Sequence, residues 1–378
     1  MRLLAGCLAV LFLLGSLSCE GTNTIKVGLI VPLTGDVKTF GESVRDGALM
    51  AFEEVNASGG IRGRQVQVLT RDDANDPAQA EALGRQLAQD EEVVAILGSV
   101  STACSRRLAV VCQTNGVPMV SPTSTHPLVT VNEKGEPRDY VFRACFTDSF
   151  QGAAAARFAR DYLAADRAAV VYDGSNDYSK GLAGSFGSAF VDLDGRVVAS
   201  EPYTTEEGDI ARAVKKLSGS SFDVLFIPDY YGTVAEVARQ VRDVGIDATL
   251  LGGDGWDSPK MTRLAGEAIQ GGYFTGHYAP DDPRAEVLEW VQKHQSKYGR
   301  EPDGLATLGY DAARLLLEAL SRAAKPGPKA VRDELAGLSS FPGVTGDFTF
   351  DERGNPIKNV VVLRYTADGP TYVSTETP

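Results

Sequence analysis

The sequence predicts an α/β protein made of two doubly wound, parallel-sheet lobes. Its 378 residues exceed the usual size of a single domain. Short runs of β-branched and aliphatic residues alternate with longer amphipathic stretches, which favours parallel strands joined by crossover helices. This alternation begins near residue 25 and starts again after residue 146, so we expect one lobe from each series.

The first residues have the pattern of a secretory signal peptide, which we place at residues 1–18. Arg2 supplies a positive start, and residues 3–17 are apolar and uncharged. Leu17-Ser18-Cys19 then resembles a lipoprotein processing site. We expect Cys19 to carry a lipid and residues 19–23 to form a tether, the alternative being an ordinary cleaved signal with a free Cys19.

In the first series the helical stretch at residues 41–56 carries Val44, Ala48, Phe52 and Val55 on one stripe. Asp76 is placed to cap the next helix, with Pro77 at its first position. The predicted strands of this series are 25–31, 66–70, 93–97 and 117–120, and a further helix is predicted at 102–114.

The second series repeats this order. Its predicted strands are 168–172, 197–199, 224–227 and 250–251, and its predicted helices are 178–191, 209–217 and 233–244. Two more helices, 283–298 and 307–323, and two strands, 347–350 and 360–365, cannot be assigned to a lobe from periodicity.

The formal charge of −13 argues against nucleic acid, because binding to phosphates requires a basic surface. The chain also lacks the GxSxG, GxxxxGK[ST] and HExxH motifs. We assign a structural or surface role to the three histidines, which are His126, His277 and His294. The paired carboxylates belong to turns and helix caps; these are Asp72 with Asp73 and Asp281 with Asp282. We therefore expect no catalysis, no cofactor and no metal.

Three cysteines lie in the body of the exported chain, beyond the tether. Cys104 and Cys112 fall on one predicted helix about 12 Å apart, too far for a disulfide. Export permits disulfides, so two alternatives stay open: a Cys112–Cys145 bond, or buried free thiols.

Polar residues follow several predicted strands, and ligands of open parallel sheets bind at the carboxyl ends of strands. Residues 98–102 and 121–125 offer hydroxyls and the N-terminus of a helix, which suit a carboxylate. Residues 173–178, 229–231 and 254–256 offer carboxylates with tyrosine and tryptophan rings, which suit an ammonium group. The two sets together predict a zwitterion held between the lobes.

Several segments resemble the branched-chain amino-acid binding proteins, the type I periplasmic receptors of ABC importers. The resemblance includes residues 25–35 (IKVGLIVPLTG), 56–63 (NASGGIRG), 72–77 (DDANDP) and 178–181 (YSKG), and it covers nearly the whole exported chain. It is far less specific for the ligand than for the family.

The resemblance implies roles for individual residues. The ligand carboxylate would be held at Thr102, Thr123 and Thr125, and the ligand amine at Tyr178, Tyr230 and Asp254. The side-chain pocket would include Phe40, Val100, Ser101, Ser124 and Trp256. Trp256 and Thr123 depart from the family's usual small residues, which puts strict branched-chain specificity in doubt.

The same resemblance implies three crossings between lobes, near Phe146, Thr275 and Asp347. One lobe would then comprise residues 24–146 and 277–347, and the other residues 147–276 and 348–378. We expect a monomer that closes by hinge motion on a small, aliphatic amino acid and delivers it to a membrane permease with its ATPase. A related amide, urea, aromatic or small organic acid ligand, or a sensor that contacts a signalling partner, remains an alternative.

Overall fold

A computed structural model describes residues 24–89 and 91–378. The predicted signal peptide and Cys19 lie outside the described residues. Within them the chain forms two large sheets flanked by helices and one small antiparallel sheet, so the prediction of a two-lobed α/β fold is confirmed.

The first sheet has five strands in the order β2-β1-β3-β4-β5, and every pair in it is parallel. Its strands are β1 (Ile25–Val31), β2 (Val66–Asp72), β3 (Ala95–Gly98), β4 (Met119–Ser121) and β5 (Val141–Arg143), and the helices that follow them are α1 (Lys38–Ala57), α2 (Pro77–Gln89) and α3 (Thr102–Asn115). Val44, Ala48 and Phe52 of α1 are buried as predicted, whereas Val55 of the same stripe is only partly buried. Asp76 caps α2 by accepting from the N–H of Ala78 at 2.7 Å.

The second sheet has seven strands. Its parallel part is formed by β6 (Arg167–Asp173), β7 (Arg196–Tyr203), β8 (Val224–Ile227), β9 (Thr249–Gly252) and β10 (Tyr273–Gly276), with helices α4 (Asp148–Arg157), α5 (Asp177–Asp192), α6 (Asp209–Leu217), α7 (Tyr231–Asp243) and α8 (Met261–Ala265) around it. The strand order β7-β6-β8-β9-β10 continues into two C-terminal strands that run antiparallel.

The chain then returns to the first sheet through α9 (Ala285–Tyr298), α10 (Gly304–Arg322) and α11 (Pro328–Ala336). Helices α1 and α10 approach so closely that a Cβ on Gly47 would lie 1.8 Å from the carbonyl oxygen of Ala306. Gly309 faces Val44 in the same way. Glycine at these positions therefore lets the two helices pack with their backbones in contact.

The small sheet consists of β11 (Ser340–Gly343), β12 (Gly346–Phe350) and β13 (Pro356–Ile357), and the C-terminal strands of the second sheet are β14 (Val360–Thr366) and β15 (Gly369–Glu376). Asp347 lies in β12, which pairs with β11 and β13. The chain thus joins the seven-stranded sheet only at Val360, later than the crossing predicted near Asp347, because a hairpin is inserted before it.

The cysteine alternatives are decided by this structure. Cys104, Cys112 and Cys145 are all free and buried. The interpretation as buried thiols is therefore the correct one, and the Cys112–Cys145 bond is not formed.

Candidate functional site

The candidate site lies between the carboxyl ends of the two parallel sheets. In the first sheet β1 is flanked by β2 and β3, and in the second β6 is flanked by β7 and β8, so each sheet reverses its strand order there. Loops leaving the strands on either side of such a reversal separate and leave a crevice. The two crevices face each other, and we call the space between them the cleft.

Side chains from both lobes line the cleft and surround about 330 Å³ of space not occupied by protein atoms. Those contributed by the first lobe are Phe40, Val100, Ser101, Thr102, Thr123 and Leu305; those contributed by the second are Tyr178, Tyr230, Asp254 and Gly255. The structure therefore brings together eight residues that the sequence analysis proposed for the site. It also shows that each lobe supplies part of the wall.

Three aromatic rings, two from the second lobe and one from the first, lie together in the lining of the cleft. Tyr178 and Tyr230 stack with their centroids 5.1 Å apart and their planes nearly parallel, and Phe40 meets Tyr230 edge to face at 5.7 Å. Burial raises the pKa of both tyrosines well above the usual value. Their phenols therefore keep their protons, and the faces of their rings attract a cation.

Asp254 follows β9 and carries the carboxylate at the centre of the second lobe's wall. Its Oδ1 accepts from the Tyr178 hydroxyl at 2.9 Å and from the Gln151 side-chain amide at 3.0 Å, and its Oδ2 lies 3.1 Å from Nε2 of His277. No lysine or arginine among the described residues forms an ion pair with it. The carboxylate is thus held in place while its charge has no cationic partner, which suits an incoming ammonium group.

Glycine at position 255 is required by this arrangement. The Gly255 N–H donates to the Tyr178 hydroxyl oxygen at 3.0 Å. A Cβ at this position would lie 2.6 Å from the carbonyl oxygen of Asp229. The Asp254-Gly255 turn therefore fits closely under the tyrosine ring and fixes the phenol beside the carboxylate.

The opposite wall is the N-terminus of α3. Ser101 precedes the helix and Thr102 begins it, so the first backbone N–H groups of α3 have no carbonyl within the helix to donate to. The Ser101 hydroxyl is buried without a hydrogen-bond partner among the described residues. The Ser101 hydroxyl together with the positive end of a 14-residue helix suits a carboxylate.

Thr123 lines the cleft, but its hydroxyl is already engaged. It donates to the Val100 carbonyl oxygen at 2.7 Å, and Ser124 donates to the same oxygen at 2.9 Å. These bonds fix the loop after β3 against the loop after β4. Thr123 therefore shapes the wall rather than offering a free donor.

Three residues proposed for the site lie outside the cleft wall. The Ser124 side chain is turned toward the Val100 carbonyl and Ser105. Thr125 is buried beside Asp148, and its carbonyl accepts from the Asp148 N–H at 2.9 Å. The Trp256 indole is fully buried over Gly252 and donates to the Ile227 carbonyl at 2.8 Å, because a buried indole N–H requires a partner.

Four residues of the site were not singled out from the sequence. Gly255 and Leu305 line the cleft, and Gln151 and His277 hold Asp254. His277 directly follows a strand, so its position relative to the strand end was the available signal, whereas Gln151 lies inside α4 and carried no such signal. Leu305 lies in the first turn of α10, distant in sequence from every other residue of the site.

Direct bonds hold the two lobes together around the cleft. Arg106 of α3 forms an ion pair with Asp177 of α5. The Tyr231 hydroxyl of α7 donates to the Asp36 carbonyl at 2.8 Å. These two bonds link the lobes directly.

Neither a metal centre nor a membrane span is found in the part of the chain that the structure describes. No group of three or more His, Cys, Asp or Glu side chains there could hold a metal ion. None of the helices among these residues has the length and apolar character needed to cross a bilayer.

The fold and the cleft define a two-lobed solute-binding protein. A sequence model described as "Periplasmic binding protein" matches residues 24–370, and the chain belongs to this family. The family consists of binding proteins rather than enzymes.

Individual relatives agree with this assignment. The chain is 29% identical over 341 residues to the leucine-, isoleucine-, valine-, threonine- and alanine-binding protein of Pseudomonas aeruginosa, covering 89% of this chain and 88% of that one. Among solved structures, a leucine-binding protein from Thermotoga maritima superposes with a TM-score of 0.88 at 34% identity, covering 94% of this chain and 99% of the other. A branched-chain amino-acid transporter substrate-binding protein from Streptococcus pneumoniae, in complex with isoleucine, gives 0.85 at 29%, with 93% and 99% covered.

Proposed function

We propose that this protein is the extracytoplasmic receptor of an ABC importer and binds a small aliphatic α-amino acid in the cleft. The observation that carries the proposal is the Asp254 carboxylate, which is buried, has no cationic partner among the described residues and lies opposite the N-terminus of α3. A zwitterion matches both ends of this arrangement. The names of the relatives, which bind leucine, isoleucine, valine, threonine or alanine, support the same ligand class.

In this proposal the ligand amine is bound by Asp254 with the Tyr178 and Tyr230 rings. The carboxylate is bound at the first turn of α3 by backbone N–H groups together with Ser101 and Thr102. Thr123 supports this wall through its bond to Val100, and Thr125 has no direct contact with the ligand. Phe40, Val100 and Leu305 are left to contact the ligand side chain, since they are the apolar part of the lining.

The lobes open and close about the three segments that connect them. The predicted division into 24–146 with 277–347, and 147–276 with 348–378, stays our proposal with one change. Residues 348–357 belong with the first lobe, because Asn355 accepts a hydrogen bond from Thr130 at 2.8 Å and β13 pairs with β12. A ligand that contacts both walls favours the closed arrangement.

We further propose that residues 1–18 are a signal peptide and that Cys19 anchors the protein by a lipid. The protein then works as a monomer beside a permease and its ATPase. Mass spectrometry of the N-terminal peptide tests the anchor: a diacylglycerol-modified Cys19 is expected, and an unmodified N-terminus contradicts it. Replacing Cys19 by Ser releases the protein from the membrane fraction if the proposal is right.

The ligand class is tested by the shift in melting temperature of the purified protein with each of the twenty amino acids. A ligand that binds only the folded state adds about 2.7 kcal/mol to the free energy of unfolding when its concentration is 100 times its Kd. The melting temperature rises as a result. We expect leucine, isoleucine or valine to give the largest shifts. Isoamylamine lacks the carboxylate of leucine, and 4-methylpentanoate lacks its amine. Neither analogue should shift the melting temperature. Equal shifts with either analogue, or no shift with any amino acid, contradict the proposal.

A further inference from the structure

The imidazole of His277 lies directly behind the carboxylate that faces the cleft. Nε2 of His277 is 3.1 Å from Oδ2 of Asp254, and both side chains are almost fully buried. The remaining bonds to Asp254, from Tyr178 and Gln151, both reach Oδ1. His277 is therefore the one described side chain that bonds Oδ2.

The protonation state of this histidine follows from its surroundings. Burial is the largest influence and lowers the pKa of His277, opposed by the nearby Asp254 carboxylate. A neutral imidazole beside a carboxylate oxygen must carry its proton on the nitrogen that faces it. His277 thus donates through Nε2–H, and Nδ1 is left as a buried nitrogen without a hydrogen-bond partner among the described residues.

The position of His277 in the fold ties Asp254 to the connections between the lobes. The residue directly follows β10, where the chain leaves the seven-stranded sheet for α9. Its ring stacks on Phe146 with centroids 3.7 Å apart and planes 20° from parallel. Phe146 lies between β5 and α4, in the first connection, and it belongs to the same buried cluster as Val360, which starts β14 after the third connection.

Packing in this position fixes the imidazole. Phe146 is fully buried and His277 is 2% exposed, so the ring cannot turn without moving two connections. The Gln151 amide, which also donates to Asp254, bonds the Thr275 hydroxyl at 3.1 Å, two residues before His277. Two of the three donors to the carboxylate are thus tied to this connection: His277 directly follows β10, and Gln151 is hydrogen-bonded to Thr275 of β10.

We propose that His277 is a positioning residue for amine recognition: its neutral Nε2–H orients Oδ2 of Asp254 so that the carboxylate charge stays available to the ligand ammonium. A lysine or arginine in its place would neutralise that charge, whereas a neutral donor aligns the oxygen without competing for the charge. The inference rests on the proposed function, since it assigns the amine to Asp254.

The test compares leucine binding by calorimetry at pH 7.5 for the wild-type protein and three variants. His277→Ala removes the donor and should weaken binding about 10- to 100-fold, the range for a hydrogen bond to a charged group. His277→Gln places an amide N–H near the former Nε2 and should restore affinity to within about threefold of wild type, since the amide is also a neutral donor. His294→Ala is the matched control: His294 is a buried histidine of α9 whose Nδ1 lies 3.0 Å from the Arg300 carbonyl oxygen, and its loss should change affinity less than about twofold.

A spectroscopic measurement on the unmodified protein complements the variants. The chain has three histidines, so ¹⁵N spectra of histidine-labelled protein can be assigned by the signal that His277→Gln removes. We expect the neutral tautomer with Nε2 protonated and Nδ1 bare. An imidazolium or the opposite tautomer at pH 7.5 overturns the inference even if His277→Ala does not fold.

The affinities decide the remaining cases. Wild-type affinity in a folded His277→Ala protein overturns the inference, and so does a folded His277→Gln protein that binds as weakly as the alanine variant. A wild-type protein that binds no amino acid contradicts the proposed function itself, and this result is seen before any variant is compared.

Discussion

Oδ2 of Asp257 accepts a hydrogen bond from the backbone N–H of Gly304 at 2.8 Å. Asp257 follows β9 in the second lobe, and Gly304 is the first residue of α10, which packs on α1 in the first lobe. The bond therefore caps the N-terminus of a helix in one lobe with a carboxyl group from the other. The bond links the two lobes directly, so we expect it to favour the closed arrangement.

Replacing Gly304 by Ala should weaken ligand binding. The added Cβ would lie 2.5 Å from Oδ2 of Asp257, so the two lobes must separate or the carboxyl must turn away. We expect leucine affinity to fall by about 1 to 2 kcal/mol, comparable to a lost cap, with the folded protein otherwise intact. Calorimetry measures the affinity, and small-angle scattering should show a more open liganded form.

Gly327→Ala is the control for this substitution. Gly327 likewise lies at the start of a helix, as the residue before α11, but a Cβ there would meet no atom within 4 Å. The Gly327→Ala protein should bind leucine with the same affinity as the wild-type protein. If Gly304→Ala binds as tightly as Gly327→Ala, the contact between Asp257 and Gly304 does not contribute to closure.

The stability of the protein should fall with rising pH because of Asp257. Burial, with repulsion from Asp303, raises the pKa of Asp257 to about 8. In the unfolded chain the same group titrates near pH 4, so folding favours its protonated form. The corresponding stabilisation is fully present below about pH 4 and is lost as the pH rises toward 8.

Asp257→Asn removes this titration. The free energy of unfolding, measured in urea at pH 5 and pH 8, should therefore fall less with pH in the variant than in wild type. The exposed Asp368→Asn protein serves as the control and should follow wild type. Parallel curves for Asp257→Asn and wild type would show that Asp257 titrates as in the unfolded chain.

Replacing Asp254 by Ala should weaken amino-acid binding by about 2 to 4 kcal/mol, because the ligand ammonium loses its buried partner. Asp368→Ala, which removes an exposed carboxyl of the same lobe, should leave the affinity unchanged. Calorimetry with leucine distinguishes the two. Unchanged affinity in Asp254→Ala would show that the amine binds elsewhere.

The sequence could predict those features that repeat along the chain. Regular alternation located β1, β6, β8 and the buried stripe of α1, since apolar period and helix caps are local signals. Strands β5 and β13 have three and two residues, too few for any period to be detected. The antiparallel strand β15 is largely half-exposed and polar, so its position beside β14 depends on pairing rather than on its own pattern.

The site shows the same division. Thr102, Tyr178 and Asp254 were predicted because each follows a strand, and the rule for strand ends holds for both sheets. Trp256 also follows a strand, but the direction of its ring depends on the space above Gly252, which no local pattern reveals. Leu305 reaches the cleft because α10 packs on α1, a contact between residues far apart in the chain.

Leu305 should contribute to the choice between large and small ligands. It lines the cleft with Phe40 and Val100, on the side opposite Asp254's lobe. Leu305→Ala removes apolar contact area and should weaken leucine binding by about 1 to 2 kcal/mol, while alanine, with a shorter side chain, loses less. Competition between the two amino acids measures the change in selectivity. Equal losses for both ligands would place the ligand side chain away from Leu305.

The three buried cysteines should be inert in the folded protein. Burial raises the pKa of Cys104 and of Cys145 to about 12 and that of Cys112 further still. Because the thiolate is the reactive form and each pKa unit lowers its population tenfold, alkylation by iodoacetamide should be about a hundredfold slower, or more, than in urea. Mass spectrometry of the peptides measures modification at each position, and Glu20–Pro378 protein in 8 M urea, about the usual denaturing concentration, gives the reference. Rapid modification of any of the three in the native state, or a Cys112–Cys145 peptide under non-reducing conditions, contradicts the free-thiol interpretation.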